Sequence, residues 1–429
     1  MKRFAYNLAM ATGLALAAPL LAARLARGRY RAIALKRLGL GSAWLPPAAA
    51  GGIWVHALSV GEVRSALPLL KALGQRFPLR PLALSVATAQ GLAVAQQELA
   101  DHGGVSLFVR PLDLAWNVER LLNRLGPALF CLVEGDIWPG WSWGLKQRQV
   151  PSLLVNGRVS PRTFRGYRRL GPLARGLFSG FARILVQTGV DQERLLAVGI
   201  DRKRLAVGGN LKFDTAPARL DQAQRQALAQ ELGLNERRVL VAGSTHPGEE
   251  EACLRAFKGL QPGHPGLALI LAPRQVERGR ALARLAAGMG LSAALLSEGA
   301  KPAGAQVLIL DVLGRLAPAY ALAQAAFVGG SLVPVGGHNL LEPSAQGVPV
   351  LFGEHTHNFL EMARDLEACG GGRRLAGAED LAEAWGQLLA DPARASAMGQ
   401  AGLAFCQAHR GALARAVEEA AQLLEGGRP

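Results

Sequence analysis

From Gly51 onward the chain alternates short, continuous apolar runs with stretches of helical spacing. In the first half the runs are 53–58 (IWVHAL), 82–88 (LALSVAT), 105–110 (VSLFVR), 128–134 (ALFCLVE), 152–156 (SLLVN), 182–188 (ARILVQT) and 205–210 (LAVGGN). Runs without polar alternation predict strands buried on both faces, as in a parallel sheet covered by helices. Residues 215–236 turn polar with helical spacing, which marks a boundary. The alternation then restarts with 238–245 (RVLVAGST), 267–274 (LALILAPR), 306–311 (QVLILD), 325–332 (AAFVGGSL) and 348–353 (VPVLFG). The pattern predicts an α/β protein with two doubly wound, Rossmann-like domains, 38–214 and 215–429, facing a cleft. The tail from Asp380 to Leu424 is predicted helical.

Residues 1–37 read differently. After Lys2 and Arg3, residues 4–23 carry no charge, and about 20 residues at ~1.5 Å each would just cross a hydrocarbon core of about 30 Å. A cleaved secretory signal has a similar outline. The basic flank of Arg24, Arg27, Arg29, Arg31, Lys36 and Arg37 favours an uncleaved anchor that leaves the body in the cytoplasm. Asn7, Thr12, Gly13 and Pro19 weaken a span and leave room for a helix lying in the interface. The expected location is the cytoplasmic face of the inner membrane.

Composition narrows the partners. The 429 residues are half apolar and only 19% charged, which excludes a disordered chain, and 48 basic against 32 acidic residues give a net charge of +16. Such a surplus suits an anionic partner: nucleic acid, acidic lipid or a phosphorylated substrate. No recognised nucleic-acid module or basic and aromatic interleaving accompanies it, so no nucleic-acid partner is expected. Cys131, Cys253, Cys369 and Cys406 are too scattered for a disulfide framework or zinc site, which fits a reducing compartment.

Doubly wound sheets hold ligands outside the carboxyl ends of their strands. In the first half those ends carry Ser59 and Glu62, Thr88 and Gln90, Glu134 and Asp136, Asn156 and Arg158, and Asn210 and Lys212. Ser59-Val60-Gly61-Glu62 reads as a capping box, yet it also puts a carboxylate at a helix N-terminus beside a strand end, where a general base would sit. Glu134 precedes Trp138, Trp141 and Trp143, an arrangement suited either to sugar recognition or to a packed corner. Seven arginines and no acid lie between Arg158 and Arg183. Such a run is either a solvated face or an anion contact in which Arg162, Arg165 and Arg169 share one helix side.

In the second half the ends carry Ser244, Thr245 and His246, then Pro273 and Arg274, Asp311, residues 329–331, and Gly353 with Glu354. Residues 327–343, FVGGSLVPVGGHNLLEP, run from strand through a glycine loop with Gly336 and Gly337 into a helix near Asn339. Exposed backbone N–H groups there would make an anion pocket, with Glu342 placed to accept ribose hydroxyls. The segment fits neither the Walker pattern nor GxGxxG. His355 and His357 suggest a metal pair, but no acidic cluster accompanies them, and no metal or cofactor is expected.

Taken in order, HALSVGE, EGDIWP, NGRVS, GNLKFD, STHPGEE, APR, FVGGSL and GGHNLLEP resemble the bacterial 3-deoxy-D-manno-octulosonic acid (Kdo) transferases, over essentially the whole chain. The resemblance implies a GT-B glycosyltransferase that moves Kdo from CMP-Kdo to a lipid A precursor, lipid IVA, with inversion and without a metal in the donor site. It implies that Glu62 is the general base and that Glu134 and Lys212 stabilise the transition state. CMP contacts would fall on Pro273, Arg274, Leu313, Gly314, Arg315, Asn339, Leu340, Leu341 and Glu342, beside Gly336, Gly337, Ser244, Thr245 and His246. Ser59, Gly61, Arg158 and Arg162 would lie on the acceptor side. The family commonly reads Glu-Thr-Glu-Leu-Trp-Pro where this chain has residues 134–139, EGDIWP, and often has an acid where Arg315 stands. The rival readings are another GT-B nucleotide-sugar transferase or epimerase, and a non-enzymatic basic membrane adaptor. The first predicts protection by UDP rather than CMP, and the second predicts that Glu62→Ala leaves function intact.

Overall fold

The computed structural model describes residues 2–26, 31–39, 46, 50–100, 104–135, 137–299 and 304–426. The backbone divides into two units, Met1–Thr215 with Arg410–Pro429, and Ala216–His409. The first boundary falls where the sequence turns polar. The second corrects the domain assignment: the C-terminal segment does not stay with residues 215–409 but returns to the first unit.

The first unit holds seven parallel strands: β1 (Ile53–Ala57), β2 (Leu82–Val86), β3 (Val105–Val109), β4 (Leu129–Val133), β5 (Ser152–Gly157), β6 (Arg183–Val186) and β7 (Leu205–Val207). Their order is β3-β2-β1-β4-β5-β6-β7. Every residue of β1, β4 and β5 is buried, because helices cover both faces. One face packs Trp54, Phe108, Phe130 and Trp141; the other packs Val55, Leu69, Leu84 and Cys131. The C-terminal helix Ala412–Glu425 completes this second face with Ala412, Ala416 and Ala420. Asp214 accepts the N–H groups of Gly411 and Leu413 at its start, and Arg183 donates from Nε to Glu419 at 2.8 Å near its end.

The second unit holds β8 (Val239–Thr245), β9 (Ala268–Pro273), β10 (Ala293–Leu295), β11 (Val307–Ile309), β12 (Ala323–Val328), β13 (Val350–Phe352) and β14 (Gly372–Arg374). Again all are parallel, in the order β10-β11-β9-β8-β12-β13-β14. The two edge strands β10 and β14 have three residues each and no long apolar run, so no sequence pattern announces them.

A helix spans Lys2–Ala26 with Pro19 inside it. Among the described residues no helix is long and apolar enough to cross a membrane, which corrects the reading of residues 1–37 as a spanning anchor. Asn7, Thr12, Gly13 and Pro19 interrupt the apolar run. The helix is fastened to the first unit by Tyr6, whose hydroxyl donates to Asp113 at 2.7 Å and whose ring meets Trp143 edge-on. Arg27, Arg29 and Asp136, singled out in the sequence, lie outside the described residues.

Candidate functional site

In each sheet two neighbouring strands lead the chain off in opposite directions, β1 and β4 in the first unit and β8 and β12 in the second. Crevices of this kind open at strand carboxyl ends. At the first, β1 leads through Ser59 into the helix Val60–Arg76, and Glu62 occupies its first turn. The expected capping box does not form, since the Ser59 side chain makes no cap bond. Glu62 instead reaches one residue further back and accepts the Leu58 N–H at 2.5 Å. Glu62 is 9% exposed, and its carboxylate lies at the helix end where backbone dipoles favour negative charge.

Glu134 closes β4 with φ 66°, and Asn156 lies within β5 with φ 60°. Left-handed backbone at non-glycine residues costs free energy and concentrates at functional sites. Here it is held by a network. Asn156 donates to Glu134 Oε1 at 3.2 Å and accepts the Leu211 N–H at 3.0 Å, while Gln187 donates to the Asn156 carbonyl. Asn210 in turn caps Lys212. Glu134, Asn156 and the short helix carrying Lys212, Leu211–Asp214, are thus tied into one assembly from three parts of the chain.

The tryptophans after Glu134 form a packed corner. Trp141 is buried against Trp54 and Trp143 meets Tyr6, while Trp138 lies under the Arg110 guanidinium at 5.3 Å. Asp113 accepts the N–H groups of Gly140 and Trp141, and burial raises its carboxyl above the usual range. Of the arginine run, Arg183 is structural, paired with Glu419. Arg158, Arg162, Arg165, Arg168 and Arg169 are exposed, the last four on the helix Pro161–Leu170, which buries none of its residues.

The second crevice corrects one expectation. Glycine-loop N–H groups were expected to stand open to an anion; Glu249, 1% exposed, already fills the place. Its carboxylate accepts from Gly330 (2.7 Å), Ser331 (3.0 Å), Leu332 (2.9 Å) and His246 (2.9 Å). Gly336 and Gly337, both at positive φ, donate to the Gly330 carbonyl. The N–H groups of Gly330, Ser331, Leu332, Gly336 and Gly337 are therefore taken up within the unit. The sequence signal that was available is the acidic run Glu249, Glu250 and Glu251 directly after a strand end.

Other expected residues gather at the same end of the sheet. Ser244 has φ 55°, and the buried Thr245 hydroxyl has no partner. The Arg274 N–H donates to the Thr245 carbonyl, tying the ends of β9 and β8 together, while Pro273 closes β9. Asn339 bridges the Leu341 N–H and Glu342, ordering the start of the helix Leu341–Ala345. Leu340 and Leu341 pack inward. Arg315 pairs with Glu231, so its charge is engaged within the unit, whereas Leu313 is 73% exposed beside Gly314. Tyr320 is buried, and burial followed by nearby Glu342 pushes its phenol upward.

His338, not among the expected contacts, makes a close pair with His246: the Nε2 atoms are 2.8 Å apart and the ring planes differ by 3°. Burial, then His246 and Arg274, lowers the His338 imidazole from 6.5 to about 4.

A family model described as 3-Deoxy-D-manno-octulosonic-acid transferase (kdotransferase) matches residues 29–215. The 3-deoxy-D-manno-octulosonic acid transferase of Bordetella pertussis is 35% identical over 404 residues, 92% of this chain and 93% of that protein. That of Haemophilus influenzae is 32% identical over 394 residues, 91% of each chain. The UDP-GlcNAc 2-epimerase of Neisseria meningitidis, solved with UDP-GlcNAc, shares the fold at 12% identity and a TM-score of 0.55, over 88% of this chain and 100% of that one. Read with the two parallel sheets and the acidic crevice of the first unit, these likenesses place the chain in the 3-deoxy-D-manno-octulosonic acid transferase family, glycosyltransferases of lipopolysaccharide synthesis.

Proposed function

We propose that this Kdo transferase is an inverting GT-B enzyme that carries Kdo from CMP-Kdo to lipid IVA without a metal in the donor site. The observation that carries the mechanism is the crevice of the first unit, where Glu62 and Glu134 come from the two strands flanking the winding reversal. Glu62 accepts the proton of the attacking acceptor hydroxyl. Its Oε2 accepts the Leu58 N–H, which holds the carboxylate at the start of the helix, where a general base is positioned. The ketosidic carbon gains oxocarbenium character as cytidylate departs, so the Glu134 carboxylate serves the sugar cation while Lys212 serves negative charge. Inversion follows from a single displacement, with hydroxyl and leaving group on opposite faces of the sugar.

The second unit takes the donor, with Arg274 and Asn339 to Glu342 as the contacts to cytidylate. Exposed arginines of the helix Pro161–Leu170 meet the phosphates of the acceptor. Phe4, Leu8 and Leu16, all exposed on the N-terminal helix, lie in the interface at the cytoplasmic face of the inner membrane, with Tyr6 turned inward as the tether. Thermal protection by nucleotides tests the donor. CMP should raise the melting temperature and UDP should not; protection by UDP alone would favour a UDP-sugar enzyme of the epimerases' fold.

A further inference from the structure

His246 directly follows β8, and His338 lies in the glycine loop that follows β12, the strand beside β8 at the winding reversal of the second unit. Their Nε2 atoms are 2.8 Å apart while the ring centroids are 5.1 Å apart. Rings stacked face to face cannot bring atoms so near, so the imidazoles meet edge to edge. A contact of that length needs one proton between the two nitrogens, with one Nε2–H donating to the other Nε2. Two protons there would set two N–H donors against each other, and none would leave two lone pairs facing. Gly330 lies beneath the pair: a Cβ built there would come within 3.0 Å of His338 Nε2, so only glycine admits the arrangement.

The surroundings say what the pair can do. The N–H groups of Gly330, Ser331, Leu332, Gly336 and Gly337 are taken up by Glu249 and by the Gly330 carbonyl, so they do not serve a phosphate arriving at this crevice. Side-chain donors remain: Arg274 at the end of β9, exposed and close enough to act on His338, and the imidazoles themselves. The other charged or titratable groups at this end are Glu249, whose Oε2 accepts the His246 N–H, Glu342 and Tyr320, and His355 and His357 after β13. Arg274 is the fixed charge that disfavours a positive His338 imidazole. An added anion shifts the balance the other way.

We propose that the His246–His338 pair is a phosphate-responsive site that takes up one proton when the donor's phosphate binds. The proton supplied by solvent turns one ring into an imidazolium, whose N–H donors and charge act with Arg274 on the phosphate oxygens. The charge then persists to balance the leaving cytidylate, and it is returned to solvent when that product departs. This deepens the reading of the second unit as the donor unit and rests on it.

The test is calorimetry on the full chain at pH 7 with the methyl ester of cytidine 5′-phosphate, whose single phosphate charge does not titrate near neutrality. Binding is measured in two buffers of different ionisation enthalpy, which reports protons taken up. Uptake of up to one proton is expected in the unaltered protein. It should be abolished in His338→Gln and in His246→Gln, with affinity down about tenfold in each. Histidine ¹⁵N spectra of the unaltered protein give a readout independent of the variants' folding, and the ester should move one Nε2 toward its imidazolium position. Binding without proton uptake and without that spectral change, or uptake retained in both variants, overturns the pair's role and leaves the donor reading standing. Absence of any binding of either the ester or CMP overturns the donor reading, and this inference with it.

Discussion

Glu249 shows how much one side chain can decide. It is buried and accepts four backbone N–H groups, so Glu249→Ala strands four donors inside the second unit. A buried donor left unpaired costs about 1–3 kcal/mol, so chemical denaturation should show a loss of about 3 kcal/mol or more. Glu249→Gln, which keeps an acceptor oxygen, should lose less. His338 makes a pH prediction at the same scale. In the unfolded chain its imidazole titrates near 6.5 and in the folded chain near 4, so between these values the unfolded chain binds more protons. Stability therefore falls as pH drops through that window, by on the order of 1–2 kcal/mol once solvent screening is allowed for. The fall should shrink in His338→Gln. The placement of Glu62 and Glu134 just past strands that flank a winding reversal was legible because continuous apolar runs mark where those strands stop. The filling of the glycine loop by Glu249 was not, since spacing shows which N–H groups face an anion but not whether the chain supplies its own.

Among the elements, twelve strands were legible as continuous apolar runs because both faces of each sheet are covered. The edges of the second sheet were not: β10 and β14 are short and lean on one neighbour each, so little in their own residues selects strand. The helix Ala412–Glu425 was legible as a helix, yet its placement was misread. Its apolar stripe of Ala412, Ala416 and Ala420 shows which face is buried but not which sheet buries it. The fit is close, since Ala416 is fully buried. Ala416→Leu should therefore destabilise the first unit by about 1–3 kcal/mol, the usual cost of overpacking. A two-step denaturation curve in which only one step moves would assign the loss to that unit.

At the scale of the molecule, the surplus of positive charge, +16, and the exposed apolar residues of the N-terminal helix act together. Binding to vesicles containing anionic lipid should be strong at low salt and weaken as salt rises, because exposed charges are screened over about 10 Å at 0.1 M. Replacing Arg162 and Arg165 with glutamate should weaken it further, while loss of Phe4 and Leu8 should weaken it at every salt concentration. The catalytic claim stands on a single carboxylate in the first unit. It is tested by incubating the full chain with CMP-Kdo and lipid IVA and weighing the products, alongside Glu62→Gln. The account predicts lipid heavier by whole Kdo units from the unaltered protein, and transfer slowed on the order of 10²–10⁴-fold in the variant, with its melting temperature unchanged. Transfer by Glu62→Gln at the unaltered rate would contradict it.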